Sequence, residues 1–448
     1  MADLIDLREA QRLVLDRVEA TGTERVPVER ASGRVMAEAA LARTDLPPFA
    51  SSAMDGYAVR SEDTNGGPVT LRVVGAAPAG EPSQRVLAAG EAITISTGAV
   101  VPGGADAVVP LERVVVEGDV VRLTEPVAKT ANIRSLGLDV MRDAQVVGAG
   151  AELGPAQVGA LAAAGVADVQ CRVRPRVGVL VTGTELRQPG DELGPGEIFE
   201  SNGVLLAAQL GSAGAVPAQL GVVADDLDEQ ERTMERALLG FDLLVTSGGA
   251  SVGPHDLVRR AQESLGVEAG FHGVAIKPGR PVGFGVRRGT PVFNLPGNPV
   301  SALVVFELLV RPAVRALLGA RDPLPRFRAG VLASAVTRHA IRDEFLRSRL
   351  DRAGDEATLS PLADQESNMI VAAAAADALV HVPRGGGELV AGELARDLVL
   401  GGSTADRAAS EPARPDESGR ESDPPPSSRM RPRRGPTGRP SLSAGYGA

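Results

Sequence analysis

The hydrophobic positions change their period several times along the chain, and each change marks an element. Between residues 3 and 22, Leu4, Leu7, Ala10, Leu13, Val14 and Val18 recur at near-helical spacing and stop at Thr21-Gly22, which predicts an amphipathic helix. From Asp45-Leu46-Pro47-Pro48 the texture becomes short Val- and Thr-rich runs between turns, such as Val114-Val115-Val116-Glu117-Gly118-Asp119-Val120-Val121, the pattern of strands. Helical spacing returns over Pro155 to Ala164 behind a helix-opening proline and runs into Pro175. The β segment, roughly 45–139, therefore reads as a domain inserted into a helical one built from 1–44 and 140–174.

From Arg176 the rhythm alternates. Strands are expected at Val177 to Thr182, Leu220 to Ala224, Phe241 to Thr246 and Pro291 to Leu295. Helices are expected at Gly203 to Ser212, Asp228 to Leu239, Asp256 to Leu265 and Val300 to Leu318. This alternation predicts a doubly wound parallel sheet over 175–322. Pro323-Leu324-Pro325 then opens a β-rich stretch, 323–400, with strands near Gly330 to Val336, Leu346 to Leu350 and Ala378 to Val382, which reads as a small barrel or sandwich. Residues 401–448 are rich in Ser, Pro, Arg and Gly, include Pro424-Pro425-Pro426, and lack the apolar content of a core; a disordered tail is expected. The fold class is multidomain α/β.

Composition narrows the partners. The chain is 43% hydrophobic but 2% aromatic, with no Trp, so its cores are aliphatic. A net charge of -10 excludes a general nucleic-acid binder, which needs a basic surface to displace counterions from phosphates. Anionic ligands must be held locally. No run approaches about 18 uninterrupted apolar residues, so no membrane span is expected. The single Cys171 has no disulfide partner and Met1 to Arg8 lacks the basic-then-apolar order of a signal peptide, which points to the cytoplasm. Of 47 Lys and Arg residues only Lys129 and Lys277 are lysine, so Lys277, in Ile276-Lys277-Pro278-Gly279-Arg280-Pro281, marks a place for a compact ammonium.

In an open α/β sheet ligands bind beyond the carboxyl ends of the strands. Three loops there carry polar residues: Gly183-Thr184-Glu185, Asp225-Asp226, and Ser247-Gly248-Gly249-Ala250-Ser251 running on to His255-Asp256. Glycines let backbone N–H groups close on phosphate oxygens, and a following helix N-terminus adds positive potential. Carboxylates at Glu185, Asp225 and Asp256 would repel a phosphate unless a hard divalent cation, Mg²⁺ above all, lay between. Taken singly, each carboxylate is more commonly a turn residue or a helix cap than a ligand; the coincidence of three points to function. Asn294-Leu295-Pro296-Gly297-Asn298-Pro299 adds a rigid loop at the same crevice, and His255 and His272 stand at no zinc spacing.

These motifs, with Pro47-Pro48-Phe49, Ser52-Ala53-Met54-Asp55-Gly56-Tyr57-Ala58, Ser96-Thr97-Gly98-Ala99, Asn132-Ile133-Arg134, Thr182-Gly183-Thr184-Glu185-Leu186, Ser201-Asn202, Lys277-Pro278-Gly279 and Leu295 to Ser301, resemble the molybdopterin molybdenumtransferases, MoeA-type proteins related to the E domain of gephyrin. The resemblance spans about residues 3–400. It implies insertion of molybdate into adenylylated molybdopterin, with release of AMP and formation of molybdenum cofactor, by an elongated homodimer. It implies that Asp55, Thr97 and Asp139 approach from the partner subunit. Glu185, Asp225, Asp256 and Lys277 would line the crevice, with Ser247, Gly248, Gly249, Ser251, Pro296, Gly297, Asn298, Pro299 and Ser301 beside the substrate. Arg347 and Ser367 of the last domain would complete the oxyanion half. The sequence departs from the family pattern at Ala50-Ser51, Leu138, Gly273 and Glu366. Two other readings stay open: a molybdopterin adenylyltransferase, which also stands as a partner, and a non-catalytic dimeric scaffold.

Overall fold

The computed structural model describes residues 4–249, 257–352 and 356–400. Ala250, Ser251, His255, Asp256 and the segment 401–448 lie outside the described residues, and the expectations for Ser251, Asp256 and the tail with them.

Helix α1 (Leu7–Leu15) is shorter than its apolar spacing predicts. Asp6 caps it, accepting from the Arg8 N–H at 2.8 Å. Past Asp16 the chain is drawn away by tertiary bonds: the Thr21 N–H donates to the Leu317 carbonyl, and the Thr21 hydroxyl to that of Val173. Thr23–Pro27 then becomes a strand, antiparallel to Asp168–Arg172. This pairing joins the two halves of the first domain across the inserted segment. Its core includes Val26, Met36, Leu153, Leu161 and Cys171, with α2 (Pro155–Ala163) packed on it. Burial pushes the Cys171 thiol above its ordinary value.

The inserted domain is one six-stranded sheet in the order Ala107–Pro110, Gly56–Val59, Glu91–Ile95, Val69–Ala77, Val120–Leu123, Val114–Glu117. Tyr57 and Val59 enter one apolar cluster while Ala58 enters another, as the period of two requires.

The α/β domain has strands β1 (Arg176–Thr182), β2 (Val216–Val223), β3 (Leu243–Ser247), β4 (Glu268–His272), β5 (Gly283–Arg287) and β6 (Thr290–Leu295), arranged β2-β1-β3-β6-β5-β4. The expected β1, β2, β3 and β6 are parallel. The sheet is nevertheless mixed, because β5 runs antiparallel to both of its neighbours. Val177, Val179 and Val181 face one core and Leu180 the other, so β1 is buried on both sides by helices α3 (Asn202–Ser212), α4 (Leu227–Gly240) and α5 (Leu257–Ser264) and their neighbours.

The helix expected over Val300 to Leu318 is three pieces: α6 (Pro299–Val305), a π turn at Phe306–Val310, and α7 (Arg311–Leu317). Pro312 explains the interruption, since it has no N–H for the carbonyl four residues back, Leu308. The buried Gln11 of α1 supplies the missing donor at 2.9 Å. In the last domain, strands Asp343–Asp351, Thr358–Pro361, Arg328–Leu332, Leu394–Val399 and Ala378–Val382 close a barrel through pairing of the first with the last. Among the described residues no helix is long and apolar enough to cross a membrane.

Replacing Gln11 with Ala leaves the Leu308 carbonyl buried and unanswered, at a cost of about 1–3 kcal/mol. Thermal unfolding should show a lowered Tm for Gln11→Ala; an unchanged Tm would mean that carbonyl has another donor.

Candidate functional site

The four parallel strands end at a crevice of about 670 Å³ whose lining includes Thr182, Glu185, Asn202, Asp225, Ser247, Gly248, Gly249, Arg280, Pro296, Gly297 and Asn298. Glu185, Asp225, the Ser247 turn and the proline loop are thus brought together. Ser247 closes β3 fully buried. Its hydroxyl accepts from the Asn202 amide at 2.8 Å and donates to the Pro296 carbonyl at 3.3 Å. The same amide nitrogen donates to the Gly297 carbonyl at 2.7 Å. One side chain at the start of α3 thereby ties the glycine turn to the proline loop. Pro299 stands at the first position of α6, and Ser301, buried, is its third residue.

Glycine is required at the turn. Gly248 holds φ +99°, and a Cβ there would fall 2.2 Å from the Thr182 carbonyl oxygen; Gly249, at φ +64°, would meet Val258 at 2.6 Å. Backbone from two strands crosses with no room for a side chain.

The described lining carries three carboxylates, Glu185, Glu200 and Asp225, against one guanidinium, Arg280. Glu200 is engaged, accepting from the Gly203 N–H at 2.6 Å, while Glu185 and Asp225 are exposed. Among the described residues no three His, Cys, Asp or Glu side chains converge as a metal-holding group. The expected three-carboxylate set is reduced to Glu185 and Asp225, since Asp256 lies outside the described residues. Two carboxylates suit Mg²⁺, which takes its remaining ligands from water and substrate phosphates.

Lys277 and Arg347 are absent from that lining. Lys277 sits on a short strand, Ile276–Lys277, running parallel to Asp343–Asp351, and its ammonium pairs with the register partner Glu344 at 2.7 Å. Arg347, at 0% exposure, is buried in the last domain, and burial pulls its pKa below the usual guanidinium value. One of its nitrogens donates to the Asp364 and Glu366 carbonyls at 2.9 and 3.2 Å; Nε and Nη1 have no partner among the described residues. The next residue, Ser367, accepts at its hydroxyl from the Asn298 amide at 2.8 Å, and its carbonyl accepts from the Val300 N–H. The Arg347-braced loop therefore abuts the crevice wall.

Asp55, Thr97 and Asp139 do not line this crevice. Asp55 accepts from the Thr97 N–H at 2.8 Å on the inserted domain, and Asp139 donates its N–H to the Leu46 carbonyl. Gly56 is demanded by a Val109 carbonyl oxygen 1.9 Å from where a Cβ would be. Sequence reasoning passed over Thr182, Glu200, Asn202 and Arg280 as site residues. Thr182 and Asn202 stood inside quoted motifs, but a polar residue at a strand end or helix start reads as a cap or turn.

Three family models match in succession: the MoeA N-terminal region (domains I and II) over residues 5–165, a probable molybdopterin binding domain over 178–316, and the MoeA C-terminal region (domain IV) over 329–398. The chain is 38% identical over 396 residues to molybdopterin molybdenumtransferase 2 of Mycobacterium tuberculosis, covering 86% of this chain and 97% of that one. It is 37% identical over 321 residues to the molybdopterin molybdenumtransferase of Haemophilus influenzae, covering 71% and 79%. The crystal structure of the molybdopterin biosynthesis moeA protein from Pyrococcus horikoshii OT3 superposes with a TM-score of 0.78 at 32% identity, covering 89% of this chain and all of that one.

The glycine turn offers a direct check. Gly190 also has positive φ, +103°, but open space around it. Gly248→Ala should therefore lower stability by at least about 1 kcal/mol more than Gly190→Ala in paired denaturation curves, since it adds a backbone clash to the shared φ strain; equal losses would deny the close crossing. Motifs, fold and near end-to-end likeness agree: the chain belongs to the molybdopterin molybdenumtransferase family.

Proposed function

We propose that the chain inserts molybdate into adenylylated molybdopterin, releasing AMP and forming molybdenum cofactor. The observation that carries this reading is the Arg347 guanidinium, buried with two unpartnered nitrogens behind the Glu366-Ser367 loop that abuts the crevice. The Glu366 and Asp364 carboxylates act on this guanidinium only through space, so its unbonded nitrogens leave a place for a directly bonded anion. A tetrahedral oxyanion supplies one, and a transfer of adenylate alone gives the last domain no such task.

In this reading water cleaves the phosphoanhydride, giving AMP and the pterin phosphate. The two pterin thiols displace one oxygen of molybdate as water, each contributing a proton. The chain contributes positioning and charge: the Ser247-Gly248-Gly249 turn, its Gly248 N–H held by the Leu295 carbonyl, leaves room for the phosphates to approach its backbone, while Lys277 and Arg347 neutralise phosphate and molybdate charge, with Ser367 donating to the oxyanion. For Lys277 this means exchanging Glu344 for substrate. Glu185 and Asp225, with Asp256, would hold Mg²⁺, which bound there offsets the repulsion between an acidic crevice and an anionic substrate.

A cytoplasmic homodimer is part of the proposal, with the molybdopterin adenylyltransferase as the supplier of the adenylylated pterin. Its support is an exposed apolar group, Leu41, Phe49, Met54, Leu136, Leu138 and Met141, flanking the segments that carry Asp55 and Asp139. A second copy seated there would present those carboxylates to a crevice their own chain does not give them.

The test is molybdate-dependent AMP release from adenylylated molybdopterin by the purified protein. Lys277→Ala should reduce it at least about 100-fold, the scale of a lost transition-state charge contact. Undiminished release would remove Lys277 from the mechanism, and ATP-dependent pyrophosphate release from molybdopterin would replace the whole reading with the adenylyltransferase one.

A further inference from the structure

Two atoms at the crevice are left unanswered by the fold. Asn202, 6% exposed, donates its amide hydrogens to the Ser247 hydroxyl and the Gly297 carbonyl. A carbonyl can only accept, so the amide cannot be turned round, and Oδ1 is fixed as an acceptor. That oxygen has no hydrogen-bond partner among the described residues. Thr182, 4% exposed at the end of β1, holds its hydroxyl in the same condition. Both residues line the crevice. A Cβ on Gly248 would fall 2.9 Å from the Thr182 hydroxyl, and one on Gly249 3.4 Å from it, so the two glycines keep side chains from crowding that atom. Buried polar atoms in folded proteins are overwhelmingly paired, and two orphans on one crevice mark contacts completed by a ligand.

The chemistry of the pair selects the part of the ligand. A fixed amide oxygen repels phosphate oxygens and requires a donor. The pyrimidine edge of a pterin carries a ring N–H beside an exocyclic amino group, two donors in adjacent positions. Adenine offers one amino group flanked by ring acceptors. Resting on the reading proposed above, we infer that Asn202 Oδ1 and Thr182 Oγ1 receive the N–H donors of the pterin ring, which makes these residues determinants of specificity for the pterin rather than for the adenylate. A site whose polar atoms are satisfied only by the right donors rejects a ligand lacking them.

Thr182→Val separates this from a structural role, because it keeps the side-chain shape and removes only the hydroxyl. With no partner among the described residues to lose, the variant should unfold at or above the wild-type Tm. Isothermal titration of the full-length protein with molybdopterin should give a Kd raised about five- to tenfold, the scale of one lost neutral hydrogen bond, while titration with AMP stays unchanged. An unchanged molybdopterin Kd overturns the inference. So does equal weakening toward both ligands, which would mean the hydroxyl shapes the crevice at large, and so does a lowered Tm, which would reveal a protein partner. Wild-type protein that fails to bind molybdopterin at all sinks the underlying reading itself, a result distinguishable from the other three.

Discussion

The amide of Asn202 is the contact on which the rest of the crevice depends. It reaches from the first turn of α3 to the end of β3 and to the loop after β6, segments 45 and 95 residues away. Without it, among the described residues the glycine turn and the proline loop would be joined by the Ser247 to Pro296 bond and the Gly248 N–H to Leu295 carbonyl bond. The contact works because every partner has one available role: Ser247 passes its own hydrogen to Pro296, and Gly297 accepts without competition. Such closed networks gain strength from low local dielectric and fix one arrangement. The crevice is therefore shaped before any ligand arrives, which lowers the entropic cost of binding.

A second layer of contacts couples the crevice to the last domain. The parallel pairing of Ile276–Lys277 with Asp343–Asp351 sets Lys277 beside Glu344, and the Asn298 and Val300 contacts fasten Ser367 to the opposite side. Between them lies Arg347, which braces the backbone of Asp364 and Glu366. Glu366 acts here through its carbonyl, so its departure from the family pattern does not by itself remove the contact. Gly273 is likewise a backbone position: φ +93° and the Leu4 side chain 2.9 Å from its would-be Cβ leave little room for a side chain.

Much of the fold was legible because burial writes itself into period. Val177 to Thr182 alternates between two cores, and Pro155 and Pro299 both stand at helix starts. What was missed was non-local. Strands β4 and β5 escaped notice because Gly270, Gly283 and Gly285 dilute their pattern, although Cβ atoms at Gly270 and Gly285 would strike Phe284 and Val267 across the pair. The π turn follows from Pro312 acting on a carbonyl four residues back, and from a glutamine some 300 residues away in sequence that answers it. At the site, carboxylates at strand ends were readable as a convergence. The roles of Thr182 and Asn202 were not, since a missing hydrogen-bond partner is a property of the packed structure. Arg347 was readable as a cation but not as a buried one, because arginine is so seldom found fully buried.

Charge sets the last constraint. Carboxylates outnumber guanidinium groups on the described lining, on a chain of net charge -10. A ligand of the proposed phosphorylated kind thus meets no favourable long-range field and depends on short-range features: a glycine turn without side chains, an α-helix start and nearby cations. Lys277 is held by Glu344, and Arg347 is held only by carbonyls. The two cations consequently differ in what they give up. Lys277 must exchange one directly bonded anion for another, whereas Arg347, which feels Glu366 and Asp364 only through space, would gain a directly bonded anion. That asymmetry fits the proposal that adenylate and pterin occupy the pre-shaped crevice while molybdate meets the less compensated guanidinium.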